Sequence, residues 1–486
     1  MSKTYELHGK PLSEVDYLIV GSGAAGMGFA DVMIAESNAT IAMVDCHAAP
    51  GGHWNDAYSF VRLQQPSYYY GVESRQLGDL SVQQEGMNKG LLHAASAAEI
   101  LTYYNAVMQQ TFLPSGRLQY FPNTSFESSA RIDGLDGQLT ATIRNNASKT
   151  LHRVVVRKRV VDTTCYATAV PSTNQRKFGV AQELSCIIPN DLPSRAAKHS
   201  RYTVVGSGKT GMDACLWLLK NETLPEQIRW IMPRDAWWID RVTLQLTPEY
   251  FTEGVLNSAL QMEALAMANS LSDLFVRLEA AGTLIRLDPA IKPTMFHGAT
   301  VTQAELMALR QIKDVVRLGR VKHIHANRIE LSEGEIEADR DDLYIDCSAQ
   351  GIASPPTVPI FSTDKISSQI VKIFAVSLSP GLIAHVELNY SNDAIKNDLC
   401  KPVMAPQFDT GWLPMMVGTM RNLARWSEDA ELMKWLSKSR LDPFPRLQRS
   451  ASPDNHEQQA LLLQSKRAVK GAVANMGRLM QELEKS

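Results

Sequence analysis

Several features that mark other classes of protein are missing from this chain of 486 residues. Its six cysteines stand singly and no pair shows C-x-x-C spacing, so we expect no disulfide framework, no metal site of the usual zinc kind and no redox-active dithiol. No apolar run approaches the length that spans a bilayer, and the first ten residues lack the apolar core of a signal peptide. We therefore predict a cytoplasmic protein without a membrane partner.

Charge of one sign is also not in excess. The net charge is −2, which gives no electrostatic reason to expect nucleic acid as a partner. Hydrophobic residues make up 44% and charged residues 21%, which is typical of a globular enzyme. The length is enough for two or three domains of ordinary size.

The stretch from Tyr17 to Asp45 has the pattern of a dinucleotide-binding unit. An apolar strand at 17–20 runs into Gly21, Gly23 and Gly26, which have G-x-G-x-x-G spacing. The three glycines allow a tight turn, a close approach to a pyrophosphate and close packing of the next helix on the sheet. A second apolar strand ends in Asp45, nineteen residues after Gly26, where an acidic side chain meets a ribose hydroxyl.

Two glycines and a tryptophan follow in Gly51-Gly52-His53-Trp54. A dinucleotide fingerprint followed by G-G-x-W resembles the FAD domain of class B flavin monooxygenases, the group that contains flavin-containing and Baeyer–Villiger monooxygenases. The resemblance implies that the fingerprint binds the ADP half of FAD and that the G-G-x-W loop lies beside the flavin. The cofactor-binding residues implied here are Gly21, Gly23, Ala24, Ala25, Gly26, Asp45, Gly51, Gly52, His53 and Trp54.

A second fingerprint, G-S-G-K-T-G, begins at Gly206, about 185 residues after the first. The strand that follows it ends in Pro233-Arg234 instead of an acid, and a guanidinium suits the 2′-phosphate of NADPH. A solvated surface charge is the alternative for Arg234. The predicted NADPH-binding residues are Gly206, Gly208, Lys209, Thr210, Gly211 and Arg234, with Lys209 as a weaker second cation.

The order of these segments predicts an α/β fold with two Rossmann-like dinucleotide-binding domains, the second inserted in the first. We expect the first part of an FAD-binding domain at 1–199 and an NADPH-binding domain at 200–352 with a helical insertion at about 247–312. Residues 353–486 then return to the FAD-binding domain and end in a long helix. Ser452 is the expected N-cap of that helix, with Pro453 in its first position. We expect the helix to pack on the FAD domain, although dimerisation through it stays open.

Local signals predict further elements. Capping boxes at Ser96–Glu99 and Thr302–Glu305 open helices, the first running to about Gln110. Alternating segments at 139–143 and 153–161 predict an antiparallel meander. The methionine-rich face at 258–268 is either core or the lining of a substrate channel, with core favoured. Residues 55–70, with three consecutive tyrosines, either line a pocket or form a surface loop with a partly buried aromatic cluster.

Two fingerprints together indicate a flavoprotein that takes hydride from NADPH. The resemblance implies a monooxygenase that uses O₂ to oxygenate a small organic substrate through a C4a-peroxyflavin, for which Arg62 and Arg241 are the candidate catalytic residues. The linker signature F-x-G-x-x-x-H of class B enzymes is missing, and Phe178-Gly179 and His199 have the wrong spacing. Two alternatives therefore stay open, a reductase that passes electrons from NADPH through FAD to another acceptor, and a non-catalytic flavin-binding module.

Overall fold

The structure is a computed structural model that describes residues 13–132, 137–166, 168–196 and 199–485. The N-terminal segment considered above for a signal peptide lies outside these residues. Within them, no helix combines the length and the apolar character that crossing a membrane requires.

The strands, in chain order, are β1 Ser13–Val20, β2 Ile41–Val44, β3 Gly71–Val72, β4 Arg75–Gln76, β5 Leu118–Phe121, β6 Thr124–Ile132, β7 Gln138–Asn145, β8 Leu151–Asp162, β9 Gly179–Val180, β10 Ser185–Ile187, β11 Tyr202–Val205, β12 Ile228–Ile231, β13 Ala236–Asp240, β14 Met295–Val301, β15 Asp314–Val316, β16 Val321–Ile324, β17 Arg328–Leu331, β18 Gly334–Glu337, β19 Leu343–Asp346 and β20 Lys365–Ser367.

The α-helices are α1 Ala24–Glu36, α2 Ala97–Val107, α3 Leu192–Arg195, α4 Lys209–Lys220, α5 Phe251–Met267, α6 Leu271–Ala280, α7 Gln303–Leu309, α8 Leu378–Asn389, α9 Asp393–Leu399, α10 Trp412–Ser427, α11 Ala430–Lys438, α12 Pro443–Arg449 and α13 His456–Lys485. Both predicted capping boxes are confirmed, at Ser96 for α2 and at Thr302 for α7. The first helix continues beyond Val107 as a π-helical turn to Phe112, slightly past the predicted end.

The first sheet has the strand order β5-β2-β1-β8-β7-β6. Strands β5, β2, β1 and β8 are parallel, and β6, β7 and β8 form the predicted antiparallel meander. The apolar strand β1 lies in the middle, where Leu18 and Ile19 are fully buried. Strand β20 also pairs with β8, and α8 packs on α1 through Pro380 and Gly28, so the chain comes back to this sheet after residue 353.

The second sheet is parallel throughout, with the order β10-β19-β11-β12-β15. Helices α4 and α7 cover it with buried residues such as Met212, Leu218 and Leu306. The parallel strands of the first sheet and the wholly parallel second sheet, each with helices after its strands, confirm the predicted α/β class with two Rossmann-like units.

The block at 247–312 is less uniformly helical than expected. Helices α5, α6 and α7 are present, but β14 lies between them and pairs in parallel with β13. On α5, Met262 and Leu265 are buried in a cluster with Trp237 and Trp412, as the core alternative expects, but Met267 is exposed, so this alternative holds for only part of the face.

The tail helix α13 differs from its prediction in two respects. It begins at His456, and Asn455 supplies the cap by accepting a hydrogen bond from the Gln458 amide at 3.1 Å, so the N-cap at Ser452 was wrong. Its buried stripe, which includes Ala472, packs on α5 instead of the first sheet. Glycine at position 471 permits this contact, since a Cβ there would lie 2.9 Å from the Ala266 methyl group.

Candidate functional site

The first glycine loop joins β1 to α1. Gly21 has φ +99°, a conformation that glycine adopts without strain, and its amide donates to the Val44 carbonyl at 2.8 Å. Gly26 allows the helix to lie against the loop, because a Cβ there would collide with the Gly21 carbonyl oxygen. Helix α1 has no side-chain cap and no acidic residue in its first turn, so the amide groups of Ala24 and Ala25 are left for an anion.

Asp45 lies where β2 ends, beside this loop, and is 5% exposed. Its Oδ2 accepts hydrogen bonds from the Ser22 amide at 2.6 Å and the Ser22 hydroxyl at 2.9 Å. Its Oδ1 accepts from the amide of His47 and contacts the ring Nδ1, both at 2.8 Å. The Ser22 hydroxyl also lies 3.3 Å from the Tyr120 hydroxyl.

The G-G-x-W segment forms a 3-10 turn from Gly52 to Asp56 that lies directly against the first glycine loop. A Cβ on Gly52 would lie 2.9 Å from the Cα of Gly23, and the Gly51 amide donates to the Ser22 carbonyl at 2.9 Å. Gly51 and Gly52 both have positive φ, +131° and +56°. The close approach of the two loops therefore requires glycine on each side.

Trp54 points into the protein and belongs to an aromatic cluster. Its indole N–H donates to the Tyr70 hydroxyl at 2.9 Å, and the Tyr70 ring packs edge-on against Tyr104. Two neighbouring tyrosines connect the loop to the second half of the chain, since Tyr68 donates to the Leu246 carbonyl and Tyr69 to the Leu244 carbonyl. The tyrosines at 68–70 therefore form a buried aromatic cluster, the second of the two alternatives above.

The second glycine loop repeats the geometry of the first between β11 and α4. Gly206 has φ +128°, and a Cβ on Gly211 would collide with its carbonyl oxygen. Gly208 faces open space, since a Cβ there would meet nothing within 4 Å. Helix α4 also lacks a side-chain cap and an acidic first turn. Lys209 forms an ion pair with Asp213, one turn further along the same helix, so its side chain lies along α4.

Arg234 lies two residues after Met232, beyond the end of β12, with its guanidinium 5.1 Å from the ring centre of Phe408. Its neighbour Asp235 is paired with Arg317 at 2.8 Å, and none of the ion pairs found in the described ranges includes Arg234. Burial and the positive charge of Arg320 lower the pKa of Arg234. An arginine with this surplus of positive charge and no acidic partner is suited to an anionic ligand.

Direct contacts join the segment after the 3-10 turn to helix α4. The Tyr58 hydroxyl, two residues beyond the 3-10 turn, donates to Asp213 on α4 at 2.7 Å. Phe60 contacts Trp217 on the same helix, with ring centres 5.8 Å apart. The segment that follows Trp54 thus reaches the helix that begins at the second glycine loop.

The two arginines predicted to be catalytic are engaged elsewhere. All five N–H donors of Arg241 are used, by both oxygens of Glu305, by the hydroxyl and carbonyl of Thr300 and by Asn88. Arg62 is half exposed and donates to the Ala94 carbonyl at 3.0 Å. Their catalytic assignment stays a prediction, and the structure places neither guanidinium against a glycine loop.

Two polar residues that no sequence motif marks contact the turn from the other side. Asn190 and Ser172 both donate to the Asp56 carbonyl, at 3.0 and 2.6 Å. The Asn190 side-chain oxygen is buried without a partner within the described residues, so an acceptor at this turn awaits a donor. Together with the uncapped helices and the open space at Gly208, this unpaired acceptor fits two bound nucleotides.

No family model matches the chain. An uncharacterized protein of Mycobacterium tuberculosis (strain H37Rv) is 44% identical over 429 residues, which are 88% of this chain and 78% of its own. An uncharacterized protein of Mycobacterium bovis matches with the same values. Among solved structures, an open crystal structure of cyclohexanone monooxygenase is 12% identical, with a TM-score of 0.50 over 94% of this chain and 99% of that one. This likeness shows the two-domain dinucleotide-binding fold.

Proposed function

We propose that this chain is an NADPH-dependent FAD monooxygenase that oxygenates a small organic substrate with O₂. The chain belongs to the same family as the mycobacterial proteins described above. The fold agrees with that of cyclohexanone monooxygenase, and the G-G-x-W loop resembles class B flavin monooxygenases. The observation that supports the proposal most is the contact between Tyr58 and Asp213, since it links the chain after the G-G-x-W turn to the helix that begins at the second glycine loop, on a separate sheet.

Each part of the chain has a role in this proposal. The amide groups at the start of α1 bind the pyrophosphate of FAD, and Asp45 accepts a hydrogen bond from its ribose. The turn at 52–56 lies beside the flavin. The start of α4 binds the pyrophosphate of NADPH, and Arg234 binds the 2′-phosphate. When bound, these cofactors would supply hydride transfer and the activation of oxygen, while the protein holds both in place and keeps water away.

The proposed division is an FAD-binding domain at 1–199 and 353–486 with an NADPH-binding domain at 200–352. The pairing of β20 with β8 and the packing of α8 on α1 support the return to the first domain. Helix α13 departs from this division, because it packs on α5 of the inserted part. Strands β9 and β10 also depart from it, since they pair with β16 and β19 of the inserted part.

A second candidate is an NADPH oxidoreductase that passes electrons through FAD to another acceptor without inserting oxygen. It is favoured by the complete engagement of Arg241, since this arginine is then not free to stabilise negative charge on oxygen. Oxygen uptake with NADPH, measured with and without a peroxide trap across a substrate screen, separates the two. Oxygenated product supports the monooxygenase, and reoxidation only by an added acceptor supports the oxidoreductase. A colourless protein that NADPH does not affect contradicts both.

The coenzyme assignment is tested by Arg234→Ala. Loss of the guanidinium should raise the KM for NADPH by about tenfold or more and leave the KM for NADH nearly unchanged, because NADH has no 2′-phosphate. Arg328→Ala is the matched control, since Arg328 is an exposed arginine of the same region that pairs with Glu335. Equal effects on both coenzymes would refute the role of Arg234.

A further inference from the structure

One side chain beside the first glycine loop has no role in the proposed site as described so far. The ring of His47 lies between two carboxylates, with Nδ1 2.8 Å from Asp45 and Nε2 2.7 Å from Asp56. Asp45 ends β2, and Asp56 ends the turn that contains Gly52 and Trp54. The imidazole therefore joins the strand end to the turn across a span of nine residues.

Both ring nitrogens can donate a hydrogen bond at the same time only in the protonated imidazolium. In that form the ring makes two charge-assisted hydrogen bonds and balances one of the two negative charges. Neutral imidazole has one nitrogen without a proton, and this lone pair would face a carboxylate. Loss of the proton therefore breaks one of the two contacts.

We propose that His47 is a positioning residue for FAD: its protonated ring fixes the ribose-binding Asp45 against the turn beside the flavin, and FAD affinity therefore falls when the ring loses its proton. This inference rests on the proposed function, because it takes Asp45 and the turn as parts of an FAD site. In this role His47 acts through Asp45 and the turn, and the inference uses no contact of its own with the cofactor.

The neighbouring side chains of Cys46, His53 and Tyr120 have pKa values shifted away from that of His47. Burial alone would lower the pKa of His47, but its hydrogen bonds to Asp56 and Asp45 outweigh burial and raise it. On the same strand end, desolvation and the charge of Asp45 raise the pKa of Cys46. Burial lowers the pKa of His53 in the turn and raises that of Tyr120 on β5 to about 12. His47 is thus the side chain of this group whose charge changes as the pH rises through a pKa raised above the ordinary histidine value.

The direction of the effect follows from the raised pKa. A histidine whose pKa is raised by its partners stabilises the joined arrangement at low pH, and this stabilisation is lost as the pH rises through the raised value. FAD should bind tightly below that midpoint and about tenfold more weakly above it, which corresponds to the loss of one charge-assisted hydrogen bond.

The experiment measures the dissociation constant of FAD for the full chain, freed of cofactor, from pH 5.5 to 9 by quenching of flavin fluorescence. His47→Gln should weaken binding about tenfold at low pH and remove the midpoint. Asp56→Asn should move the midpoint to lower pH, because the imidazolium then has one carboxylate fewer. His385→Gln is the matched control, since His385 binds the Glu36 carboxylate at 2.6 Å at the far end of α1, and should reproduce the wild-type curve.

If His47→Gln has the same dependence of FAD affinity on pH as the wild-type protein, this inference is overturned and the proposed function is not. If that variant does not fold, an unmoved midpoint in Asp56→Asn overturns it instead. Asp45, Cys46 and His47 also offer ligand atoms within 4.8 Å of one another, so a pH curve that EDTA abolishes would assign the effect to a metal ion and overturn the inference. Wild-type and control proteins that bind no FAD at any pH would refute the proposed function, and this inference with it.

Discussion

Gly208 and Gly211 belong to the same loop, and alanine substitutions at the two positions should fail in different ways. A Cβ on Gly211 would lie 2.1 Å from the Gly206 carbonyl oxygen, whereas ordinary contacts of this kind are 3.4 Å or longer. Helix α4 would therefore have to move by about 1 Å from the sheet, and overpacking of this kind costs about 1–3 kcal/mol. A Cβ on Gly208 meets nothing within 4 Å, and its φ of −77° suits alanine.

We expect Gly211→Ala to lower the free energy of unfolding by about 1–3 kcal/mol, measured by urea denaturation with tryptophan fluorescence. Gly208→Ala should change it by no more than about 0.5 kcal/mol and weaken NADPH binding at least tenfold, because its methyl group occupies the space left for the pyrophosphate. Unchanged NADPH affinity in Gly208→Ala would refute the assignment of this space to the coenzyme. Unchanged stability in Gly211→Ala would refute the packing argument.

Two further substitutions test the buried Arg241 and the partly buried Arg440. Arg241→Met should lower the free energy of unfolding by about 3–5 kcal/mol in the same urea assay, because Glu305 is left as a buried charge. Adding Glu305→Leu should recover part of this loss. A loss below about 1 kcal/mol for Arg241→Met alone would contradict the structural role of this arginine. Arg440→Ala should lower the free energy of unfolding by about 1–3 kcal/mol and speed proteolysis at 68–75. The reason is that the Arg440 guanidinium donates to backbone carbonyls of that segment, including that of Tyr70 at 2.9 Å. Unchanged proteolysis would contradict this role of Arg440.

The first glycine loop was predictable because its signals are local. The spacing of Gly21, Gly23 and Gly26 and the acid at the end of β2 all fall within one βαβ unit, in which chain geometry alone brings Asp45 to the loop. The same holds for the capping boxes at Ser96 and Thr302, which are completed within four residues.

Contacts between distant segments were not predictable in the same way. Tyr58 and Asp213 are 155 residues apart, and nothing in the local pattern of either marks the other as its partner. The apolar stripe of α13 predicted a helix with one buried face, but a stripe does not specify which surface covers it, and the cover is α5. His47 was not identified because its second carboxylate, Asp56, depends on how the turn folds back.

The two strand ends differ in charge, and this difference argues that the two sites do not exchange cofactors. At the first, Asp45 accepts hydrogen bonds from Ser22 and His47 and presents a negative group, which repels a 2′-phosphate. At the second, Arg234 has a neighbouring cation, Arg320, and its adjacent acid is taken up by Arg317. A ligand with a free ribose hydroxyl is favoured at the first end and one with an additional phosphate at the second, which is the arrangement that the proposed FAD and NADPH sites require.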